Sequence, residues 1–120
     1  MIADLHVRRI YDPPSPEDGQ RVLVDRIWPR GVSMEVASLS LWLRDVAPST
    51  ALRQWFGHEA SRWEEFQRRY RTELEENGEA IAQLIGLVKA GRVTLLYGAH
   101  DPLHNNAVAL AGYIRDILRQ

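Results

Sequence analysis

The sequence predicts a single α/β domain built on a small, mostly parallel sheet of about three strands flanked by helices. Three observations point there. Arg21–Trp28 and Arg92–Ala99 are nearly continuous apolar runs rich in Val, Ile and Leu, the pattern of strands buried on both faces. Helical patterns lie between and after them. The chain has 120 residues, the size of one domain, so residues 1–120 are read as one unit.

Taken in order, Leu5–Tyr11 is a first strand, with Leu5, Val7 and Ile10 apolar. Asp12–Gly19 carries three prolines and a glycine and reads as a loop. Arg21–Trp28 is the second strand, closed by Pro29 and Gly31. Met34–Val46 shows a helical stripe of Val36, Leu39, Leu43 and Val46. Ser49 caps a short helix through Phe56. Ser61-Arg62-Trp63-Glu64 has the form of a capping box. The helix it opens places Trp63, Phe66, Tyr70 and Leu74 on one face. Asn77-Gly78 stops it. A further helix carries Ile81, Leu84, Ile85 and Val88 and ends at Gly91.

Arg92–Ala99 is the last strand. A final helix from about Asn105 turns Ala107, Leu110, Ala111, Ile114 and Leu118 inward. Two buried strands with helices between them imply a parallel pair joined by a right-handed crossover. The first strand joins the second by a short segment, which leaves a hairpin open.

Composition narrows the function classes. The chain is 45% hydrophobic and 26% charged, a globular balance. Its formal net charge of −1 gives no overall field to attract nucleic acid or an anionic membrane. It has no cysteine, which removes disulfides, thiolate nucleophiles and cysteine metal sites. Met1–Asp4 begins no basic-then-apolar leader, and no apolar stretch is long enough to span a membrane. A cytoplasmic protein is expected.

In parallel α/β sheets, ligands collect beyond the carboxyl ends of the strands. Two polar segments leave that edge here: Asp25–Arg30 after the second strand and Tyr97–Asn105 after the last. Arg26 and Arg30 offer planar guanidinium forks suited to phosphate or carboxylate. The second segment runs into a helix N-terminus, which favours an anion. The expected site is therefore one for a small anionic, phosphorylated or nucleotide-like ligand. Asp25, Arg26, Trp28, Arg30, Tyr97 and Asn105 would bind it. His100 or His104 would transfer a proton and Asp101 would orient an imidazole. A plainer reading stands beside this one, in which Arg26 pairs with Asp25 or Asp101 and Asn105 only caps the last helix.

His100 and His104 are four apart, but Pro102 between them breaks the helical spacing a shared metal would need. No metal site and no cofactor are expected. Arg68-Arg69-Tyr70-Arg71 is basic, yet Glu64 and Glu65 precede it at helical spacing. It reads as a solvated, ion-paired face and not as a nucleic-acid surface. Trp42, Trp55 and Trp63 read as core. A competing function is a regulatory or interaction module that docks a partner or a second copy through Trp42, Trp55 or Phe56.

Asp25-Arg26-Ile27-Trp28-Pro29-Arg30-Gly31, Trp42–Ser49, Leu52–Phe56 and Val93–Tyr97 with His104–Val108 resemble the YeaO-like proteins, the bacterial domain of unknown function 488. The resemblance covers almost the whole chain. It implies an α/β fold and a cytoplasmic location, and it supplies no reaction. Longer relatives carry Asp-Val-Arg at the Asp25–Arg26 position and Cys-His-Arg near His104–Asn106. This chain lacks that cysteine, so thiol chemistry does not transfer to it.

Overall fold

The computed structural model describes residues 3–119. Its sheet has four strands, all parallel, in the order β1-β4-β2-β3. These are β1 (Leu5–Arg9), β2 (Gln20–Leu23), β3 (Leu41–Trp42) and β4 (Val93–Tyr97). The helices are α1 (Met34–Ala37), α2 (Thr50–Phe56), α3 (Trp63–Glu75), α4 (Gly78–Ala90) and α5 (Asn106–Leu118). The expected α/β class and the parallel pairing of the two apolar strands are both present.

Strand β4 is the centre of the structure. All five of its residues are buried. Their side chains alternate between two cores, as the period of two requires. Val93, Leu95 and Tyr97 join the larger core against α2, α3, α4 and α5. Leu96 meets Ile10, Leu23 and Ala37 on the other face, beside Trp28 and Trp42. Burial on both faces is why these strands read as continuous apolar runs.

The fourth strand was not expected. The spacing over residues 34–46 predicts one helix, but only Met34–Ala37 is α-helical, and Arg44–Val46 forms a short 3-10 turn. Ser38 adopts a left-handed conformation (φ 50°) and its N–H closes the helix on the Met34 carbonyl. The following residues satisfy the open edge of β2. Ser40 N–H donates to the Arg21 carbonyl and Leu43 N–H to the Leu23 carbonyl. Unpaired backbone groups at a sheet edge outweigh a four-residue apolar stripe, and Val36 of that stripe remains exposed.

The hairpin left open for the first strand does not form. Strand β1 pairs with β4, which lies between it and β2. The proline-rich connection carries a short 3-10 turn, Pro16–Asp18, closed by reciprocal bonds between Ser15 and Asp18. The capping box is therefore here and not at Ser61–Glu64. There, a 3-10 turn at Ala60–Arg62 runs straight into α3, and the Ala60 carbonyl takes the Trp63 N–H. Ser49 and Asn105 do cap α2 and α5, accepting from the N–H of Leu52 and Val108. Asn77-Gly78 separates α3 from α4, and Gly78 itself opens the second helix.

Asp18 ties the amino ends of the strands together. It accepts from Arg8 (2.9 Å), Arg21 (2.6 Å) and the Ser15 N–H (3.0 Å). Arg21 is buried with it and also donates to the Ala37 carbonyl. Gly19 follows at φ 66°, and a Cβ there would collide with the Arg92 carbonyl. Burial opposes ionisation of Asp18. The Ser15 N–H and the two guanidinium groups outweigh it and hold its pKa below the ordinary value of 3.8.

Removing Asp18 strands a buried guanidinium, so Asp18→Ala should cost about 3–5 kcal/mol in urea denaturation. The lowered pKa also gives a sign. The stabilisation from this carboxylate is complete above the ordinary value of 3.8 and disappears as pH falls through the depressed folded value. In Asp18→Asn, the fall of stability over that acid range should be shallower than in the parent.

Candidate functional site

Strands β2 and β4 pair side by side, so the segments leaving their carboxyl ends start as neighbours. Between them, and roofed by α2 and α3, lies a cleft of about 570 Å³. Its lining includes Asp25, Arg26, Trp28, Pro29 and Arg30 from the first exit, and Gly98, His100, Asp101, His104, Asn105 and Asn106 from the second. Ala47, Pro48, Arg53, Phe56, His58 and Phe66 close it from the helical side, with Tyr11 from the β1 exit.

Asp25 joins the two exits. Its carboxylate accepts from the Gly98 N–H (2.9 Å) and from Asn106 Nδ2 (3.0 Å). Asn106 Nδ2 also donates to the Val24 carbonyl. The Asp25 carbonyl takes the Trp42 indole N–H at 2.7 Å. Gly98 leaves little space for a side chain, because a Cβ there would lie 3.1 Å from Asp25 Oδ2 and 3.6 Å from Pro29 Cβ. Desolvation raises the Asp25 pKa above its ordinary value, opposed by Asn106, Gly98 and the charge of Arg53.

The plainer reading of Arg26 does not hold, since it pairs with neither Asp25 nor Asp101. Its guanidinium donates to the Pro48 carbonyl (3.2 Å) and the Ala47 carbonyl (3.1 Å), fastening the β2 exit to the start of α2. Arg30 and Arg53 are exposed. None of the three cleft arginines has a carboxylate partner among the described residues. Elsewhere, Arg8, Arg21, Arg68, Arg69, Arg71, Arg92 and Arg119 each have one, while Arg9, Arg44, Arg62 and Arg115 also lack one among the described residues and turn to carbonyls, an imidazole or aromatic rings.

The second exit is a braced loop. Asp101 accepts from the N–H groups of Leu103 (2.9 Å) and His104 (3.2 Å) and pairs with His104 Nδ1 (2.8 Å). The Leu103 N–H and the His104 ring are the leading causes of its lowered pKa. The His104 ring stands edge-on to Trp63, with centroids 5.3 Å apart. His100 Nδ1 accepts from Arg9 at 3.0 Å. The imidazoles therefore have separate partners, and no metal-ligand cluster of three or more His, Asp or Glu occurs among the described residues.

Two expected ligand contacts are differently placed. Tyr97 is buried in the larger core and does not line the cleft; its inward register on β4 puts it there. Asn105 lines the cleft, but both ends of its amide are occupied. Oδ1 caps α5 through Val108, and Nδ2 donates to the Asp101 carbonyl. Trp28 is at the cleft, with its indole N–H on the Val32 carbonyl and its ring edge-on to Trp42.

Arg53, His58, Asn106 and Tyr11 also line the cleft, and no local sequence pattern marks them as site residues. Arg53 lies one helical turn before Phe56 on α2, a spacing that places them on one face. Only helix packing decides that this face meets the strand exits.

Of the aromatics expected at a docking surface, Phe56 is buried and Trp42 and Trp55 are half-buried. Phe56 stacks on Phe66 at 4.4 Å. Trp42 lies under Arg44, and Trp55 under Arg62 and Arg69. Glu65 pairs with both Arg68 and Arg69, and Arg71 pairs with Asp116. No helix among the described residues is long and apolar enough to cross a membrane.

Residues 4–120 match the family described as DUF488-N3i, the inactive DUF488-N3 subclade. The uncharacterized protein Rv3073c of Mycobacterium tuberculosis H37Rv is 40% identical over 113 residues, 92% of this chain and 95% of that protein. The uncharacterized protein YeaO of Escherichia coli K12 is 35% identical over 114 residues, 95% of this chain and 99% of that protein. No solved structure gives a significant match.

Two substitutions separate scaffold from contact surface. Asn105→Ala should lower stability by about 1 kcal/mol through the lost cap, read as a fall in Tm. Gly98→Ala should cost about 1–3 kcal/mol by crowding Asp25 and Pro29, read by urea denaturation.

Proposed function

This chain belongs to the DUF488-N3i family, the inactive DUF488-N3 subclade, and from that premise we propose that its cleft binds a small anionic ligand without turning it over. The observation that carries this reading is the pair of exposed arginines, Arg30 and Arg53, brought to one cleft without a carboxylate partner, with Arg26 beside them held on the Ala47 and Pro48 carbonyls. A guanidinium left unpaired beside an apolar wall is suited to a carboxylate or phosphate from outside the chain. Phe56, Phe66, Pro29 and Pro48 supply apolar surface for the ligand's body, the usual make-up of a small-molecule pocket.

The volume, about 570 Å³, lies in the range of such sites. His100, Asp101 and His104 then serve as cleft wall and loop brace. Catalysis by a thiol has no residue to perform it in a chain without cysteine. A cytoplasmic setting fits that composition.

Isothermal titration with inorganic phosphate, a sugar phosphate and a nucleoside monophosphate tests the reading. At least one should bind, more weakly as salt is raised. Arg53→Ala should reduce its affinity about tenfold or more, the loss of one charge-assisted contact. Arg30→Ala should act in the same direction. Absence of binding by all three, or affinities unmoved by both substitutions, would overturn it.

A further inference from the structure

Asp25 is the feature that simple anion binding does not use. It lines the same cleft as the arginines, it is half-buried, and no cation forms an ion pair with it among the described residues. Arg26, next in the chain, turns to the Ala47 and Pro48 carbonyls instead. Arg53 is near enough for its charge to act on Asp25 and yet makes no ion pair with it. A half-buried carboxylate without a counter-charge is costly. The fold nonetheless fixes it with the Gly98 N–H and Asn106 Nδ2, and leaves no Cβ at residue 98 to crowd it.

Each Asp25 oxygen accepts one of these bonds, and a carboxylate oxygen can accept two. Acceptor capacity therefore remains on both oxygens. The cleft thus offers a deeper acceptor pair at Asp25, apolar walls at Pro29, Pro48 and Phe56, and exposed cations at Arg30 and Arg53.

Building on the anion-binding reading of the cleft, we propose that Asp25 selects ligands presenting two adjacent N–H donors on a planar ring, with the anionic group carried on the same molecule. Among common ring systems, guanine has this edge, N1–H beside the 2-amino group. Hypoxanthine keeps N1–H and lacks the amino group. Adenine turns an unprotonated N1 toward the same position, acceptor against acceptor. A guanine nucleotide carries both features, a donor edge for Asp25 and an anionic group for Arg30 or Arg53. A site built to satisfy donors discriminates sharply against analogues that lack them.

Isothermal titration with GMP, IMP, AMP and guanosine tests this. GMP should bind at least tenfold more tightly than IMP or AMP, and guanosine more weakly than GMP. In Asp25→Asn the preference for GMP over IMP should collapse, with Tm reporting that the variant is folded. The GMP-to-IMP ratio of the unmodified protein decides the matter even if that variant is unstable. Equal affinities for GMP, IMP and AMP, all lowered by Arg53→Ala, would overturn the role of Asp25 and keep the anion site. Binding of inorganic phosphate without any nucleotide would have the same meaning. Failure of every anion to bind would remove both readings.

Discussion

One hydrogen bond ties the two strand exits at the cleft end of the sheet together: the Asp25 carboxylate accepting the Gly98 N–H. The parallel pairing of β2 with β4 brings the two exits close, but pairing ends where the chains must diverge. The Asp25 bond carries the contact past that point. Asn106 then adds the start of α5 by donating to both Asp25 and the Val24 carbonyl. Through these bonds the strand exits and a helix start become one wall of the cleft.

The opposite end of the sheet is held by a different chemistry. Asp18 and Arg21 form a buried ion pair, extended by Arg8, Ser15 and the Ala37 carbonyl. One carboxylate there is shared by two guanidinium groups. At the cleft the charges are kept apart. Arg26 is spent on carbonyls, Arg30 and Arg53 are left exposed, and Asp25 is held by neutral donors. A domain with a formal net charge of −1 thus has one end where arginines pair with a buried carboxylate and another where arginines have no carboxylate partner among the described residues. That contrast separates a structural charge cluster from the cleft to which the anion-binding proposal is addressed.

Much of the scaffold was legible because its causes are local or periodic. The buried strands were visible in Val22–Val24 and Val93–Leu96, since two-sided burial demands continuous apolar residues. Ser49 and Asn105 were visible as helix caps, because capping depends on the residue and its immediate neighbours. The region from Leu39 to Val46 was not. Its backbone is recruited by the open edge of β2, a partner far away in sequence, and an apolar spacing that also suits a helix says nothing of that edge. The Ser61 capping box failed for a related reason, since a preceding 3-10 turn had already supplied the helix with acceptors.

The chain's own pattern specifies two buried strands, polar segments after each, arginines in excess at one exit, and no thiol. It does so because composition and short-range pattern are properties of the chain alone. Tertiary structure decided which of those groups are free to act. Arg26 is turned to backbone carbonyls, Tyr97 is drawn into the core and Asn105 is consumed as a cap, whereas Arg53 and Asn106 are brought in from elements whose orientation no local pattern specifies. Hydrogen-bond partners and helix facing are set by packing between distant segments, and only the folded chain brings those segments together.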